Sequence, residues 1–310
     1  MRSVLLAYHD IGAASLEEIL AAGDDVTLVV THEDRGGEVI WFRSVAELAR
    51  QKGIEVITPA DVNAPDVVAR VRALAPDFLF SAMFRQMLKR ELLEVPRRGA
   101  LNLHPSLLPK FRGRSPLNWV LVQGETETGV TLHYMVEKAD RGDIVAQRRI
   151  PIAADDTALS LHRKATAASR ALWREAYPLL AADRAPRIPQ DPSLASYYGG
   201  RTASDGEIDW QAGARRAYDL VRAVTHPYPG AFSWHDGRRL FIWWAVPGAA
   251  PRSLSAGEIE VTPERQVWVG AGEGALRLER VELEGEGELS ATEWAERGGC
   301  RSGDRLGRST

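Results

Sequence analysis

Asn102, His104 and Asp140 supply an amide donor, an imidazole and a carboxylate, the set that can pass a proton while a developing oxyanion is held. The run ALNLH around the first two is apolar and bounded by Gly99 and Pro105, so it reads as a buried strand. Side chains two apart on a strand share a face, which sets Asn102 and His104 side by side. Asp140 comes much later, and the chemistry requires the fold to bring it back. A proline-interrupted loop follows His104, and its basic run KFRGR (Lys110, Arg112, Arg114) stands just before a helix start at Ser115-Pro116. Arginines beside the free N–H groups of a helix start suit an anion; the plainer alternative is a solvated turn. The other histidines (His9, His32, His133, His162, His226 and His235) are scattered without His-x-x-x-His spacing. Each takes the ordinary reading of a hydrogen-bonded structural residue, and no metal site is expected.

The elements that must position these groups begin with alternating strand and helix patterns. SVLLAY (3–8), VTLVVT (26–31), IEVITP (54–59) and DFLFSAM (77–83) are short and apolar, and helix-like stretches near 15–22, 41–52 and 64–74 separate them. That alternation implies an α/β fold, a Rossmann-like, mostly parallel sheet with helices on both faces. The first turn, YHDIGAASLEE, lacks the G-x-G-x-x-G of a dinucleotide site, so neither NAD nor FAD is expected. The pattern continues through a helix near 87–94, the strand carrying Asn102 and His104, a helix near 115–123, and the strands GVTLHYMV and DIVAQRRIPI. Ser115 reads as a cap before Pro116 at the first helical position. Asp155 or Asp156 reads as the cap of a long helix with Leu161, Ala165, Ala168, Leu172 and Leu179 on one stripe.

A catalytic domain over 1–185 is therefore expected, then a proline-bearing linker over 186–204 (Pro186, Pro189, Pro192). Residues 205–310 change character: a short amphipathic helix near 211–225 precedes strand-like runs such as RRLFIWWAV, QVWVGA and ALRLERVEL between glycine-rich turns. These predict a small β-barrel, OB-like domain. Six of the nine tryptophans fall here, and filling a small core is their commoner task. Residues 201–310 hold 14 Arg and no Lys against 17 Asp and Glu, whereas a nucleic-acid-gripping domain needs a basic excess, so no nucleic-acid partner is expected. The single cysteine, Cys300, excludes an internal disulfide. No apolar run approaches the ~18–20 residues of a membrane span, and the N-terminus lacks a signal-type cleavage site, so cytoplasmic residence is the expectation.

The stretch NLHPSLLPKFRGRSP followed by ETGVTLHYMVEKADRGDIVAQ resembles the signature of folate-dependent formyltransferases, with Asn102, His104 and Asp140 in that family's catalytic positions. VLLAYHDIG, SVAELARQKGIEVITPADVN, LNWVLVQGETETGVTLH and the segment from GRTASDGEIDW through RAVTHPYPGAF resemble its UDP-sugar branch, so the likeness spans nearly all of 1–235. The resemblance implies transfer of the formyl group of 10-formyltetrahydrofolate to the 4-amino group of a UDP-linked aminosugar, UDP-4-amino-4-deoxy-L-arabinose, a lipid A modification tied to polymyxin resistance. His104 would then manage protons, Asn102 would donate to the oxyanion and Asp140 would stabilise the charged imidazole. Folate is expected along Gln86, Met87 and Leu88, with Arg114 and the run Val136, Glu137, Lys138, Ala139 and Asp140 contributing. Arg112, Arg114 and Asn118 are the candidates for the sugar nucleotide. Two positions depart from the UDP-sugar pattern: Pro105 stands for a glycine, as in the glycinamide ribonucleotide branch, and Tyr134 stands for an arginine. The competing readings are another nucleotide-linked aminosugar, methionyl-tRNA, glycinamide ribonucleotide, whose transferase shares the HPSLLP loop but is a single shorter domain, and a catalytically silent folate- or nucleotide-binding module.

Overall fold

The computed structural model describes every residue except 35, 37, 38, 309 and 310. The chain packs as two compact units: residues 1–116, 127–152 and 162–199 form the first, and residues 117–126, 153–161 and 200–310 the second.

The first unit is built on strands β1 (Arg2–Ala7), β2 (Asp25–Val30), β3 (Val56–Ile57), β4 (Phe78–Ala82), β5 (Gly99–His104), β7 (Glu127–Tyr134) and β8 (Ile144–Pro151), in the order β3-β2-β1-β4-β5-β7-β8. The first five pair in parallel, as the strand–helix alternation requires. β7 runs antiparallel to β5, and β8 antiparallel to β7. Helices α1 (His9–Ala21), α2 (Val45–Gln51), α3 (Pro65–Ala73), α4 (Arg90–Leu93) and α6 (Ala158–Ala181) accompany them. Successive residues of β1 are equally buried (Val4 and Leu5 at 0%, Leu6 at 1%), the mark of a strand covered on both faces. Val4, Leu6, Leu28, Val30 and Leu79 meet Val67, Val68 and Val71 of α3 and Leu92 of α4. On the other face Phe80 meets the ring of Trp173 from α6, whose indole N–H donates to Ser15 of α1 at 2.8 Å.

Two boundaries move for identifiable reasons. α1 starts at His9, well before the expected 15, because Gly12 lets the helix press against the strand ends; a Cβ there would lie 3.0 Å from that of Ala7. The α6 cap is Thr157 rather than Asp155 or Asp156: Thr157 Oγ1 accepts the Ser160 N–H and Ser160 Oγ accepts the Thr157 N–H. The stripe on α6 holds through Leu172, after which Trp173, Ala176 and Leu180 are buried in place of half-buried Leu179.

Residues 186–199, read from their prolines as linker, pack as a strap within the first unit. Ile188 exchanges backbone hydrogen bonds with Ile144 at 2.8 and 3.0 Å. Further on, β9 (Tyr197–Tyr198) pairs in parallel with β6 (Arg112–Gly113).

The second unit takes most of α5 (Pro116–Val122), α7 (Ala214–Val224), and strands β10 (Ala231–His235), β11 (Arg238–Gly248), β12 (Ile259–Val261), β13 (Val267–Gly270), β14 (Ala275–Leu283) and β15 (Leu289–Ser290), followed by α8 (Ala291–Glu296). The sheet is antiparallel, ordered β10-β11-β14-β13-β12 with β15 on β14. Asp236 and Gly237, at φ 49° and 77°, make the two-residue turn of its first hairpin. Of the six tryptophans expected in this core, Trp210, Trp243 and Trp294 are buried, whereas Trp234, Trp244 and Trp268 are half-buried.

Candidate active site

β5 presents Asn102 and His104 on one face, and its register with β7 sets Asn102 opposite His133 and His104 opposite Thr131. The loop between β7 and β8 returns Asp140 to them. Asp140 Oδ1 lies 3.6 Å from Nδ1 of His104 and 3.6 Å from Nε2 of His133, while Oδ2 accepts the Gly113 N–H at 2.8 Å. Each imidazole is pinned through its other nitrogen: His104 Nε2 donates to the Phe111 carbonyl and His133 Nδ1 to the Tyr134 carbonyl, both at 2.8 Å. A carbonyl only accepts, so these contacts fix the tautomers of the neutral rings and leave the lone pairs of His104 Nδ1 and His133 Nε2 on the side of the carboxylate. Asn102 Nδ2 lies 3.3 Å from His133 Nε2. Burial pushes the Asp140 carboxyl up, but the charge of His104, the neighbouring His133 imidazole and the Gly113 N–H outweigh it and hold the group well below the usual carboxylate range. The arrangement is an ionised carboxylate between two imidazoles, beside an amide on the same strand.

His133 belongs to this group, although its sequence position suggested only a structural role. The available clue was pairing: a histidine in the neighbouring strand, in register with Asn102, must share its face.

Backbone conformation and the strap hold the site. Phe111, Gly113, Ser115 and Asp140 all have positive φ. Gly113 must be glycine, since at φ 99° a Cβ would collide with the Tyr198 carbonyl, and its N–H is the one given to Asp140. From the strap, Ser196 Oγ accepts the Phe111 N–H at 2.9 Å, and the Ser196 and Tyr198 carbonyls accept the Arg112 and Arg114 N–H groups at 3.0 Å. Gln190 Oε1 accepts from Arg112 Nη2 at 2.7 Å, and its Nε2 donates to the carbonyls of Asp140 and Gly142 at 2.9 and 2.7 Å.

The remaining expected residues separate into exposed and engaged ones. Arg112 is only 6% exposed and hydrogen-bonded to Gln190, which leaves it little to offer a diphosphate. Arg114 is exposed, with its guanidinium 3.4 Å from the Arg85 carbonyl. Asn118 lies in the second unit, buried, donating to the Ala223 carbonyl at 2.7 Å. Ser115, at φ 51°, is not in the extended conformation usual for a cap. In the expected folate segment, Met87 is exposed, Leu88 belongs to the core, and the Gln86 amide braces Val62, Pro59 and Ala60. Val136, Glu137 and Lys138 are exposed in the loop leading to half-buried Ala139 and Asp140. Tyr134 points to the sheet face opposite His133, where the Arg187 guanidinium lies 3.6 Å from its ring centre.

Away from this face His9 and His162, 153 residues apart in sequence, are hydrogen-bonded to each other beside Asp10.

Two family models match the chain: Formyl transferase over residues 6–176 and Formyl transferase, C-terminal domain over residues 201–298. The chain belongs to the formyl transferase family. Among solved structures it is similar to an N-formyltransferase from Helicobacter canadensis in complex with folinic acid and dTDP-3-aminofucose, at 20% identity and a TM-score of 0.69, covering 89% of this chain and 98% of that one. It is also similar to WlaRD, a sugar 3N-formyltransferase solved with dTDP and 5-N-formyltetrahydrofolate, at 18% identity and TM-score 0.68, covering 92% and 98%. It is similar too to methionyl-tRNA formyltransferase from Clostridium thermocellum, at 17% identity and TM-score 0.58, covering 93% of this chain and 100% of that one. At these identities the likenesses establish a shared fold.

Proposed function

We propose that this enzyme transfers the formyl group of 10-formyltetrahydrofolate to the amine of a nucleotide-linked aminosugar, with UDP-4-amino-4-deoxy-L-arabinose as the leading acceptor. The observation that carries the reading is the approach of Asp140 to His104 at 3.6 Å, with Asn102 on the same strand face.

The amine nitrogen attacks the formyl carbon, and the carbonyl oxygen becomes an oxyanion. Asn102 donates to that oxygen, which lowers the barrier because the donor is already in place. The tetrahedral intermediate loses one proton from the attacking amine and collapses by breaking the bond to N10 of the folate, which must gain one. His104 Nδ1 is the relay, since its Nε2 proton is committed to Phe111. Asp140 stabilises the imidazolium formed in between. Met87 and Val136, both exposed apolar residues, offer surface to the folate rings, and Arg114 offers a charge to folate carboxylate or nucleotide phosphate.

Two neighbours in fold were solved with a folate and a dTDP nucleotide, one of them as a dTDP-aminosugar, which supports a small nucleotide-linked acceptor. The charge of residues 201–310, with 14 Arg against 17 acidic side chains, lacks the basic excess that gripping tRNA requires. The test is a panel of UDP- and dTDP-aminosugars incubated with 10-formyltetrahydrofolate, following tetrahydrofolate release. Turnover of the 4-amino UDP-sugar is expected; turnover confined to dTDP-sugars would move the acceptor, and formylation of methionyl-tRNA alone would overturn the sugar reading.

A further inference from the structure

Outside the catalytic face, one group of side chains converges on a point. His9 stands one residue beyond the carboxyl end of β1, after Tyr8, at a left-handed φ of 67°. Its Nδ1 lies 3.1 Å from Nε2 of His162 on α6 and 3.7 Å from Oδ2 of Asp10. His162 Nε2 lies 3.4 Å from the same Oδ2. His9 and His162 are 8% and 2% exposed, and Asp10 is half-buried.

Hydrogen bonding accounts for one edge of this triangle but not all three. A single proton on His162 Nε2 can go to His9 or to Asp10, and the third pair then has two acceptors facing each other. A cation satisfies all three atoms at once. An ion about 0.5 Å off the plane of the triangle, above its centre, lies about 2.0 Å from each corner, the length of a zinc–imidazole or zinc–carboxylate bond, and keeps a fourth position open. The triangle's edges also bracket the roughly 3.3 Å that separates ligands around a tetrahedral zinc with such bonds. Two imidazoles and one carboxylate, leaving a position open, are an established donor set for transition metals.

The surroundings hold the donors in place. Asp10 Oδ1 accepts the Arg43 N–H at 3.1 Å, which turns Oδ2 to the histidines. The His9 ring stacks on Phe42 with centres 3.8 Å apart, and Trp41 stands edge-on to His9 and His162 at 4.5 and 5.2 Å. The position is also one where open α/β sheets take ligands, beyond the carboxyl end of β1 and next to β4, where the strand order reverses. The Arg85 guanidinium opposes a cation here, and the Asp10 carboxylate supplies the compensating charge.

We propose that His9, Asp10 and His162 form a binding site for a divalent transition-metal ion of the zinc class, with three protein ligands and solvent in the fourth position. The site shares no residue with Asn102, His104, His133 or Asp140, so it stands or falls independently of the formyl-transfer reading.

The experiment is zinc competition on the full chain, stripped with a chelator and titrated against a chromogenic indicator. One equivalent is expected to bind wild type, with affinity about 100-fold weaker in His162→Ala and in Asp10→Ala and unchanged in His104→Ala. Circular dichroism establishes that each variant is folded. A folded His162→Ala that binds as wild type does, or a loss confined to His104→Ala, overturns the proposal. Cobalt loading of wild type gives a reading that needs no variant: an intense four-coordinate visible absorption is expected, and the weak spectrum of six-coordinate cobalt, or no uptake at all, refutes the site.

Discussion

Gln190→Ala should damage catalysis from a position that touches no reacting atom. The Gln190 side chain accepts from Arg112 Nη2 and Nε at 2.7 and 3.2 Å and donates to the Asp140 and Gly142 carbonyls at 2.9 and 2.7 Å. Truncation leaves a guanidinium that is 6% exposed without its acceptor and frees the two carbonyls of the loop that carries Asp140. An unpaired buried charged donor costs about 2–3 kcal/mol and each lost neutral bond about 0.5–1.5, part of which water recovers, so a loss of about 3 kcal/mol in stability is expected. Displacement of Asp140 by a fraction of an ångström should also lower kcat by roughly 10-fold or more, with a smaller change in KM for either substrate. Arg112→Ala should reproduce the kcat effect, because the same strut is broken from its other end. The measurements are urea unfolding followed by tryptophan fluorescence and initial rates of tetrahydrofolate release. Wild-type kcat together with an unchanged unfolding midpoint in Gln190→Ala would refute the strut. A selective rise in KM for the sugar nucleotide in Arg112→Ala would return that arginine to the acceptor.

Two further outcomes follow from the same geometry. His133→Asn removes one of the two imidazoles facing Asp140 and should lower kcat about 10-fold with the fold intact by circular dichroism; an unchanged rate would leave His133 a purely structural role. Because the folded state holds Asp140 below the usual carboxylate range, its ionised form contributes stability that is fully present above the unfolded value of about 3.9 and is lost as pH falls through the lower folded value. The stability gap between wild type and Asp140→Asn should therefore be flat from pH 8 to 5 and narrow below about pH 4 in urea titrations, and a gap that instead closes between pH 8 and 6 would contradict the assignment.

Much of the fold was legible because burial on both faces leaves a strong trace. Val4, Leu5 and Leu6 leave no alternation in β1, and such runs separated by helical stretches admit few arrangements besides a parallel sheet. Strand direction leaves no such trace, so the antiparallel β7 and β8 had to be seen. Asn102 and His104 were readable from a period of two within one strand. His133 joins them only through the β5–β7 register, and His9 meets His162 only through the packing of α6. Prolines mark irregular backbone, but they do not tell an idle linker from a segment whose Gln190, Ser196 and Tyr198 hold the loops of residues 111–114 and 140–142.

In the proposed reaction His104, set against Asp140 and beside Asn102, moves the proton in formyl transfer. Turnover of 10-formyltetrahydrofolate with the proposed aminosugar acceptor by His104→Ala, normalised to folded protein, tests it most directly. A fall of about 100-fold or more with little change in substrate KM is the expected result. Turnover within a few-fold of wild type would remove His104 from the mechanism and the account with it.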